Sequence, residues 1–119
     1  MRVVLVVDDE PMLRMLATEM LEDAGHTVVT FDTAAQAIAY CDERSNDVSA
    51  IVTDINMPGD LDGLDLARHI RATRPQTGVV VTSGRYDALP SDLRADVTFL
   101  SKPWTGDLLL NALDDCDPK

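Results

Sequence analysis

Short runs of apolar, largely β-branched residues recur along this 119-residue chain, and they constrain its fold more than any other feature. The first run, Val3 to Val7, contains no polar residue, which is typical of a strand covered on both faces of a sheet. Further strands are predicted at Val28 to Phe31, Ala50 to Thr53, Val79 to Thr82 and Val97 to Leu100. Segments with helical spacing of apolar residues separate most of these runs. The sequence therefore predicts an α/β fold with a five-stranded parallel sheet and helices on both faces.

Prolines, glycines and a threonine mark where the helices should begin and end. Pro11 suits the first turn of the first helix, Gly25 suits a left-handed stop after it, and Thr33 can cap the second helix. The pattern predicts about five helices in all. The fourth has little support, because Pro90 interrupts the segment from Arg85 to Asp96 and apolar positions there are few. We therefore predict a fourth helix that is short or irregular.

The charge balance argues against two classes of partner. A net charge of -11, from 21 acidic and 10 basic residues, gives a negative field that repels phosphate backbones and anionic lipids. We therefore expect neither nucleic acid nor a membrane as a partner. Cys41 and Cys116 lack the spacing of a metal site, and the first apolar run is too short for a signal peptide or a membrane span. One domain with a cytoplasmic location is expected.

Polar residues follow the predicted strands where those strands end. Asp8 and Asp9 come after the first strand, Asp54 ends the third, Ser83 ends the fourth, and Lys102 follows the fifth. Binding sites of open parallel sheets form at the carboxyl ends of the strands. If the first and third strands are neighbours, the three aspartates converge there.

Converging carboxylates need a cation. Two unit charges about 4 Å apart repel by roughly 1 kcal/mol in water and about 4 kcal/mol at an effective dielectric constant near 20. Oxygen ligands suit Mg²⁺ or Mn²⁺, and Lys102 can compensate the charge of a phosphoryl oxygen. Ser83 adds a hydroxyl donor, although Thr82 offers a second hydroxyl beside it. The pattern favours a phosphoryl group on Asp54.

Four motifs, each at the end of a predicted strand, carry a family resemblance. They are VVDDEP with Asp8 and Asp9, DINMP with Asp54, TSG with Ser83 and Gly84, and FLSKP with Phe99, Lys102 and Pro103. On these motifs the chain resembles the receiver domain of two-component response regulators, chemotaxis-type single-domain receivers included, over essentially its whole length. The resemblance implies the flavodoxin-like strand order 2-1-3-4-5. It also implies one receiver domain over residues 1–119, with no output domain.

The resemblance also implies a role for each residue of the motifs. Asp54 would be the phosphoacceptor, taking a phosphoryl group from a sensor histidine kinase or a histidine phosphotransfer protein. The implied ligands of Mg²⁺ or Mn²⁺ are the carboxylates of Asp8, Asp9 and Asp54 and the backbone carbonyl of Asn56. Three further side chains would respond to the phosphoryl group: Lys102 by contact, Ser83 by moving its hydroxyl to a phosphoryl oxygen, and Phe99 by rotating inward. The Lys102–Pro103 bond would be cis.

Two features depart from the usual pattern of the family. Gly59, Asp60, Leu61 and Asp62 separate Pro58 from Gly63, one residue more than usual. We expect the Pro-Gly turn to accommodate the extra residue locally, without loss of phosphotransfer. The segment between Ser83 and Lys102 is shorter than usual, so ordinary dimerisation through that region is in question and a monomer or weak dimer is expected.

The leading interpretation is a signalling switch that is not an enzyme, and two alternatives remain open. A phosphohydrolase or phosphotransferase of the haloacid-dehalogenase type also uses an aspartyl phosphate and Mg²⁺. Such enzymes place a nucleophile and a general acid two residues apart after the first strand, and the unbroken run of Asp8, Asp9 and Glu10 arranges its acids differently. A binding adaptor that works without phosphorylation is the second alternative.

Overall fold

A computed structural model describes residues 3–43, 48–84 and 89–116 of the chain. Strands and helices alternate through the first four strands, and the fifth strand is followed by the last helix. The elements are β1 (Val3–Val7), α1 (Pro11–Asp23), β2 (Thr27–Phe31), α2 (Ala34–Glu43), β3 (Val48–Asp54), α3 (Gly63–Thr73), β4 (Gly78–Ser83), β5 (Thr98–Ser101) and α4 (Gly106–Cys116).

The five strands form one parallel sheet in the order β2-β1-β3-β4-β5, which confirms the predicted fold. The order brings β3 next to β1, with Val7 paired to Thr53. The polar residues that follow β1 and β3 therefore leave the sheet side by side.

Helices cover both faces of the sheet, and each face has its own apolar core. Leu66 and Ile70 of α3 pack on one face together with residues of α2, and we call this the α2–α3 core. Leu21 of α1 and Leu109 of α4 pack on the other face, which we call the α1–α4 core. Because both faces are buried, the strands can be apolar throughout, as Val4 to Val7 are.

The residues predicted to begin, end or cap the first two helices do so in the structure. Helix α1 begins at Pro11, and Gly25 after it has a φ of 96°. The hydroxyl of Thr33 accepts a hydrogen bond from the backbone N–H of Gln36 at 3.3 Å, which caps α2. These local predictions succeed because each depends on backbone chemistry within one turn.

Turns take the place of a helix between β4 and β5 in the described part of that segment, residues 89–96. Leu89 and Leu93 are buried in the α2–α3 core, and the side chain of Arg94 donates a hydrogen bond to the carbonyl of Leu89 at 2.9 Å. The prediction of a short or irregular fourth helix is confirmed in its irregular form. Residues 85–88 of the predicted segment lie outside the described residues.

The first residues of α3 and α4 are both glycines, but their surroundings differ. A Cβ on Gly63 would lie 1.9 Å from the backbone oxygen of Asp54, whereas a Cβ on Gly106 would meet the flexible sulfur of Met20 at 3.1 Å. Gly63 also donates its N–H to the carbonyl of Ile55 at 2.9 Å. Helix α3 therefore starts directly against the end of β3, and no side chain fits between them.

We predict that alanine destabilises the protein strongly at Gly63 and hardly at all at Gly106. Gly63→Ala should lower the free energy of unfolding by about 3 kcal/mol or more, because backbone has to move. Gly106→Ala is the matched control and should change it by less than about 1 kcal/mol, because alanine favours the helix and Met20 can yield. Urea denaturation followed by circular dichroism measures both. A Gly63→Ala variant as stable as the parent would contradict the close approach.

Candidate functional site

The turn between β1 and α1 presents the first two acids. The N–H of Asp8 donates to the carbonyl of Phe31 on β2 at 3.1 Å, and its carboxylate oxygen Oδ1 accepts from the N–H of Glu10 at 2.9 Å. Asp8 is 6% exposed, whereas Asp9 is exposed. The side chain of Asp8 is therefore held in place by the turn that it forms.

Asp54 is the last residue of β3, between the ends of β1 and β4. Its Cα is paired with that of Thr82, and the next residue, Ile55, donates its N–H to the carbonyl of Thr82 at 3.1 Å. Asp54 is 6% exposed. The strand pairing thus fixes the backbone on which this carboxylate is carried.

The acids of these two segments come together as the sequence predicted. Carboxylate oxygens of Asp8, Asp9, Asp54 and Glu10 all lie within 4.8 Å of one another. Glu10 was not among the predicted site residues. Its place directly after Asp9, in a three-residue turn, was the signal in the sequence that could have included it.

Lys102 supplies a positive charge to this acidic cluster. Its ammonium nitrogen Nζ lies 3.2 Å from Oδ2 of Asp54, 3.3 Å from Oδ2 of Asp8 and 3.6 Å from Oε1 of Glu10. The backbone N–H of Lys102 donates to the carbonyl of Ser83 at 3.0 Å, so β4 helps to place it. The Lys102–Pro103 peptide bond is cis.

Burial and charge shift two pKa values in the cluster. Burial raises the pKa of Asp8 above its ordinary value, although the hydrogen bond from Glu10 and the charge of Lys102 act in the other direction. Burial alone would lower the pKa of Lys102, but the attraction of Asp8 and Asp54 outweighs it and the pKa is raised. Lys102 therefore stays protonated at neutral pH.

An open pocket of about 370 Å³ lies over the cluster. Its lining residues are Asp9, Glu10, Asp54, Asn56, Gly84 and Lys102. An all-oxygen donor set with several carboxylates suits a hard divalent cation such as Mg²⁺, and four carboxylates against one lysine leave a local excess of negative charge. The residues present therefore fit a divalent cation, and the pocket leaves room for a phosphoryl group.

Strand periodicity shows which residues share this edge of the sheet. Side chains two residues apart on a strand lie on the same face. Val6, Val52, Val80 and Leu100 belong to the α1–α4 core, and the residues two positions after them are Asp8, Asp54, Thr82 and Lys102. Thr82 is thus on the same face as the acids and the lysine.

Ser83 and Phe99 lie on the other face. Ser83 follows Val81 by two residues, and Val81 and Phe99 both pack in the α2–α3 core. Ser83 is 1% exposed and Thr82 is 2% exposed, and neither hydroxyl residue lines the pocket, so only the strand face distinguishes them. The switch roles of Ser83 and Phe99 stay predictions. Counting by two from Val80 was the signal in the sequence that placed the Thr82 hydroxyl on the same face as the acids.

The enlarged loop after Pro58 is joined tightly to α3. Gly59 has a φ of 102°, a conformation that glycine adopts without strain. Asp62 caps α3 through a reciprocal pair of hydrogen bonds with Asp65, of 2.9 and 3.0 Å between the side chain of each and the N–H of the other. The loop therefore ends at a fixed point, the capped first turn of α3, and local accommodation of an extra residue stays a prediction.

Comparison with known proteins identifies the family. Residues 4–114 match the response regulator receiver domain, and the chain belongs to this family of two-component signalling domains. Receiver domains take phosphoryl groups from sensor histidine kinases, and the acidic cluster of this chain fits the family's phosphorylation and Mg²⁺ site.

The relatives include both regulators and kinases. The chain is 37% identical over 89 residues to the transcriptional regulatory protein AruR of Pseudomonas aeruginosa, covering 72% of this chain and 36% of AruR. It is 34% identical over 105 residues to the sensor kinase CckA of Brucella abortus, covering 86% of this chain and 11% of CckA. A response regulator receiver protein from Sinorhizobium medicae superposes with a TM-score of 0.85 at 28% identity, covering 97% of this chain and 93% of that one. The chain therefore spans about a third of the length of AruR and about a tenth of the length of CckA.

None of the helices in the described ranges combines the length and the apolar character that crossing a bilayer requires.

We predict that removing one carboxylate stabilises the protein in the absence of metal. Asp54→Asn should raise the free energy of unfolding by about 1 kcal/mol without Mg²⁺, because the cluster then holds three acids against one lysine. Mg²⁺ at a hundred times its dissociation constant should stabilise the parent by about 2.7 kcal/mol. Melting curves with and without Mg²⁺ measure both effects.

Asp60→Asn, which removes an exposed acid of the neighbouring loop, is the matched control and should keep the parent's response to Mg²⁺. A parent that is insensitive to Mg²⁺, together with a destabilised Asp54→Asn variant, would contradict mutual repulsion within the cluster.

Proposed function

We propose that this chain is a phosphorylation switch whose phosphoacceptor is Asp54 and whose phosphoryl donor is a histidine kinase or a histidine phosphotransfer protein. The observation that carries the proposal is the ion pair of 3.2 Å between Lys102 and Asp54 inside the acidic cluster. A buried carboxylate that meets a lysine at the wall of an open pocket can react with a group that enters from solvent.

The transfer itself is a displacement at phosphorus. An oxygen of the Asp54 carboxylate attacks the phosphorus of a phosphohistidine, the P–O bond forms, and the P–N bond to the imidazole breaks. The electron pair of the broken bond leaves with the imidazole nitrogen, which can take a proton from water. Lys102 stays ionised and can follow the negative charge from the carboxylate to a phosphoryl oxygen.

The divalent cation of the proposal, Mg²⁺ or Mn²⁺, would be held by carboxylates of Asp8, Asp9 and Asp54 and by the backbone carbonyl of Asn56. When bound, it would neutralise charge on the phosphoryl oxygens during transfer. Burial of Asp8 makes its ionised form costly, which a bound cation offsets. Glu10, exposed at the rim, adds negative charge that attracts the cation.

Of the two hydroxyls that end β4, the strand register favours Thr82 over Ser83 as the donor to a phosphoryl oxygen. Thr82 is the Cα partner of Asp54 and lies on the same face of the sheet. Ser83 is paired with Ser101 on β5 and lies on the face of Phe99. Movement of the Thr82 hydroxyl toward the phosphoryl group would carry the signal into β4, and inward rotation of Phe99 remains part of the proposal.

Phosphorylation by acetyl phosphate tests the proposed acceptor. The parent should take up one phosphoryl group in the presence of Mg²⁺, measured by intact-protein mass spectrometry. Asp54→Asn should take up none, because an amide oxygen is a poor nucleophile, and Asp60→Asn should behave as the parent. Equal labelling of Asp54→Asn would show that the acceptor lies elsewhere.

Once Asp54 is established as the acceptor, profiling phosphotransfer against a panel of histidine kinases would identify the donor.

The same labelled protein discriminates the alternative functions. Multiple turnovers on simple phosphate monoesters would favour a phosphohydrolase of the haloacid-dehalogenase type over a switch. No labelling, and no response to beryllium fluoride with Mg²⁺, would favour an adaptor that works without phosphorylation.

A pair of alanine variants tests the choice of hydroxyl. Thr82→Ala should slow phosphorylation by acetyl phosphate about tenfold, because one hydrogen bond to a charged oxygen is lost in the transition state. Ser83→Ala should stay close to the parent rate. The reverse pattern would restore Ser83 to the role that the sequence predicted and contradict the argument from strand register.

A further inference from the structure

Arg14 reaches back from the first turn of α1 to the turn that carries the acids. Its guanidinium nitrogen Nη1 donates a hydrogen bond of 2.6 Å to the backbone carbonyl oxygen of Asp8. Asp8 lies one residue beyond Val7, the last residue of β1 that is paired with β3. The arginine therefore supplies a donor to this carbonyl where the ladder between the two strands has ended.

This hydrogen bond completes a set of contacts around one peptide unit. The N–H of Asp8 donates to the carbonyl of Phe31, and the Asp8 carboxylate accepts hydrogen bonds from the N–H of Glu10 and from the ammonium group of Lys102. Glu10 begins α1 without capping it through its own side chain. The short turn thus depends on bonds to Asp8 for its shape, and a rotation of the Asp8–Asp9 peptide would turn both carboxylates.

We propose that Arg14 is a positioning residue, which by holding the carbonyl of Asp8 orients the carboxylates of Asp8 and Asp9 toward the divalent cation. This inference rests on the proposed function, because it concerns the same metal site. Arg14 acts here through the backbone and is not itself a ligand. Residues that hold metal ligands in place without contacting the metal themselves contribute substantially to metal affinity.

The charge of Arg14 and its hydrogen bond have opposite expected effects on the affinity for Mg²⁺. A guanidinium close to the cluster repels a divalent cation, so an effect of charge alone predicts tighter Mg²⁺ binding when Arg14 is removed. Positioning predicts weaker binding. The sign of the change in the dissociation constant therefore discriminates the two effects.

The experiment compares four proteins by isothermal titration with Mg²⁺: the parent, Arg14→Met, Arg14→Lys and Arg68→Met. Arg14→Met keeps the length of the side chain without a donor and should raise the dissociation constant about tenfold. Arg14→Lys keeps one donor and the charge and should raise it less. Arg68, which is paired with Asp92 at 2.9 Å on an exposed part of α3, is the matched control and should leave it unchanged.

A second measurement separates positioning from general damage to the fold. The rate of phosphorylation by acetyl phosphate should fall in Arg14→Met at low Mg²⁺ but return to within about twofold of the parent at saturating Mg²⁺. Circular dichroism melts establish that each variant is folded. If Arg14→Met does not fold, Arg14→Lys carries the test, and its dissociation constant must still exceed that of the parent.

The outcomes keep this inference distinct from the proposed function. A parent that binds Mg²⁺ and is phosphorylated, with unchanged or tighter binding in the Arg14 variants, overturns the positioning role alone. A rate that stays low at saturating Mg²⁺ overturns it as well. A parent that neither binds Mg²⁺ nor accepts a phosphoryl group overturns the proposed function and the inference together.

Discussion

The attraction between Lys102 and the acidic cluster is the interaction on which the carboxyl edge of the sheet depends. Its ammonium group lies within 3.6 Å of carboxylates from the β1–α1 turn and from β3, and its backbone N–H donates a hydrogen bond to β4. The half-buried ammonium group of Lys102 among four carboxylates reduces their repulsion but does not cancel it. The edge is therefore left with an excess of negative charge, which could hold a divalent cation as the acidic pocket of receiver domains does.

The parallel sheet turns this local chemistry into a constraint on the whole fold. Asp8, Asp54 and Lys102 each follow a residue of the α1–α4 core by two positions, so burial of that core sets the face on which they emerge. A one-residue slip of any strand would move its site residue to the opposite face. The strand register that buries the α1–α4 core is thus the register that brings the site residues together, and the apolar runs that specify the sheet also specify the site.

The same reasoning explains how far the sequence predicts the site. The strands and the acids that follow them were predictable from apolar runs a few residues long. The strand order that brings the aspartates together was implied only by the family resemblance. The position of Glu10 and the bond from Arg14 to Asp8 depend on how a three-residue turn closes onto a helix, which periodicity does not encode. The faces on which Thr82 and Ser83 lie could be predicted by counting the strand in steps of two from Val80, and the role of either hydroxyl stays a prediction. The turns before β5 were predictable only as a poor helix, because Leu93 is placed by tertiary packing.

Close contact at Gly63 limits what the enlarged loop can change. Gly63 is bonded to Ile55 and lies against the backbone of Asp54, so the start of α3 cannot shift without moving the end of β3. The capping pair of Asp62 and Asp65 fixes the same point from the helix side. An extra residue between these anchors and Pro58 must therefore be taken up outward, in exposed backbone such as Gly59 and Asp60. It follows that the outward part of the loop can vary without moving the backbone that carries Asp54.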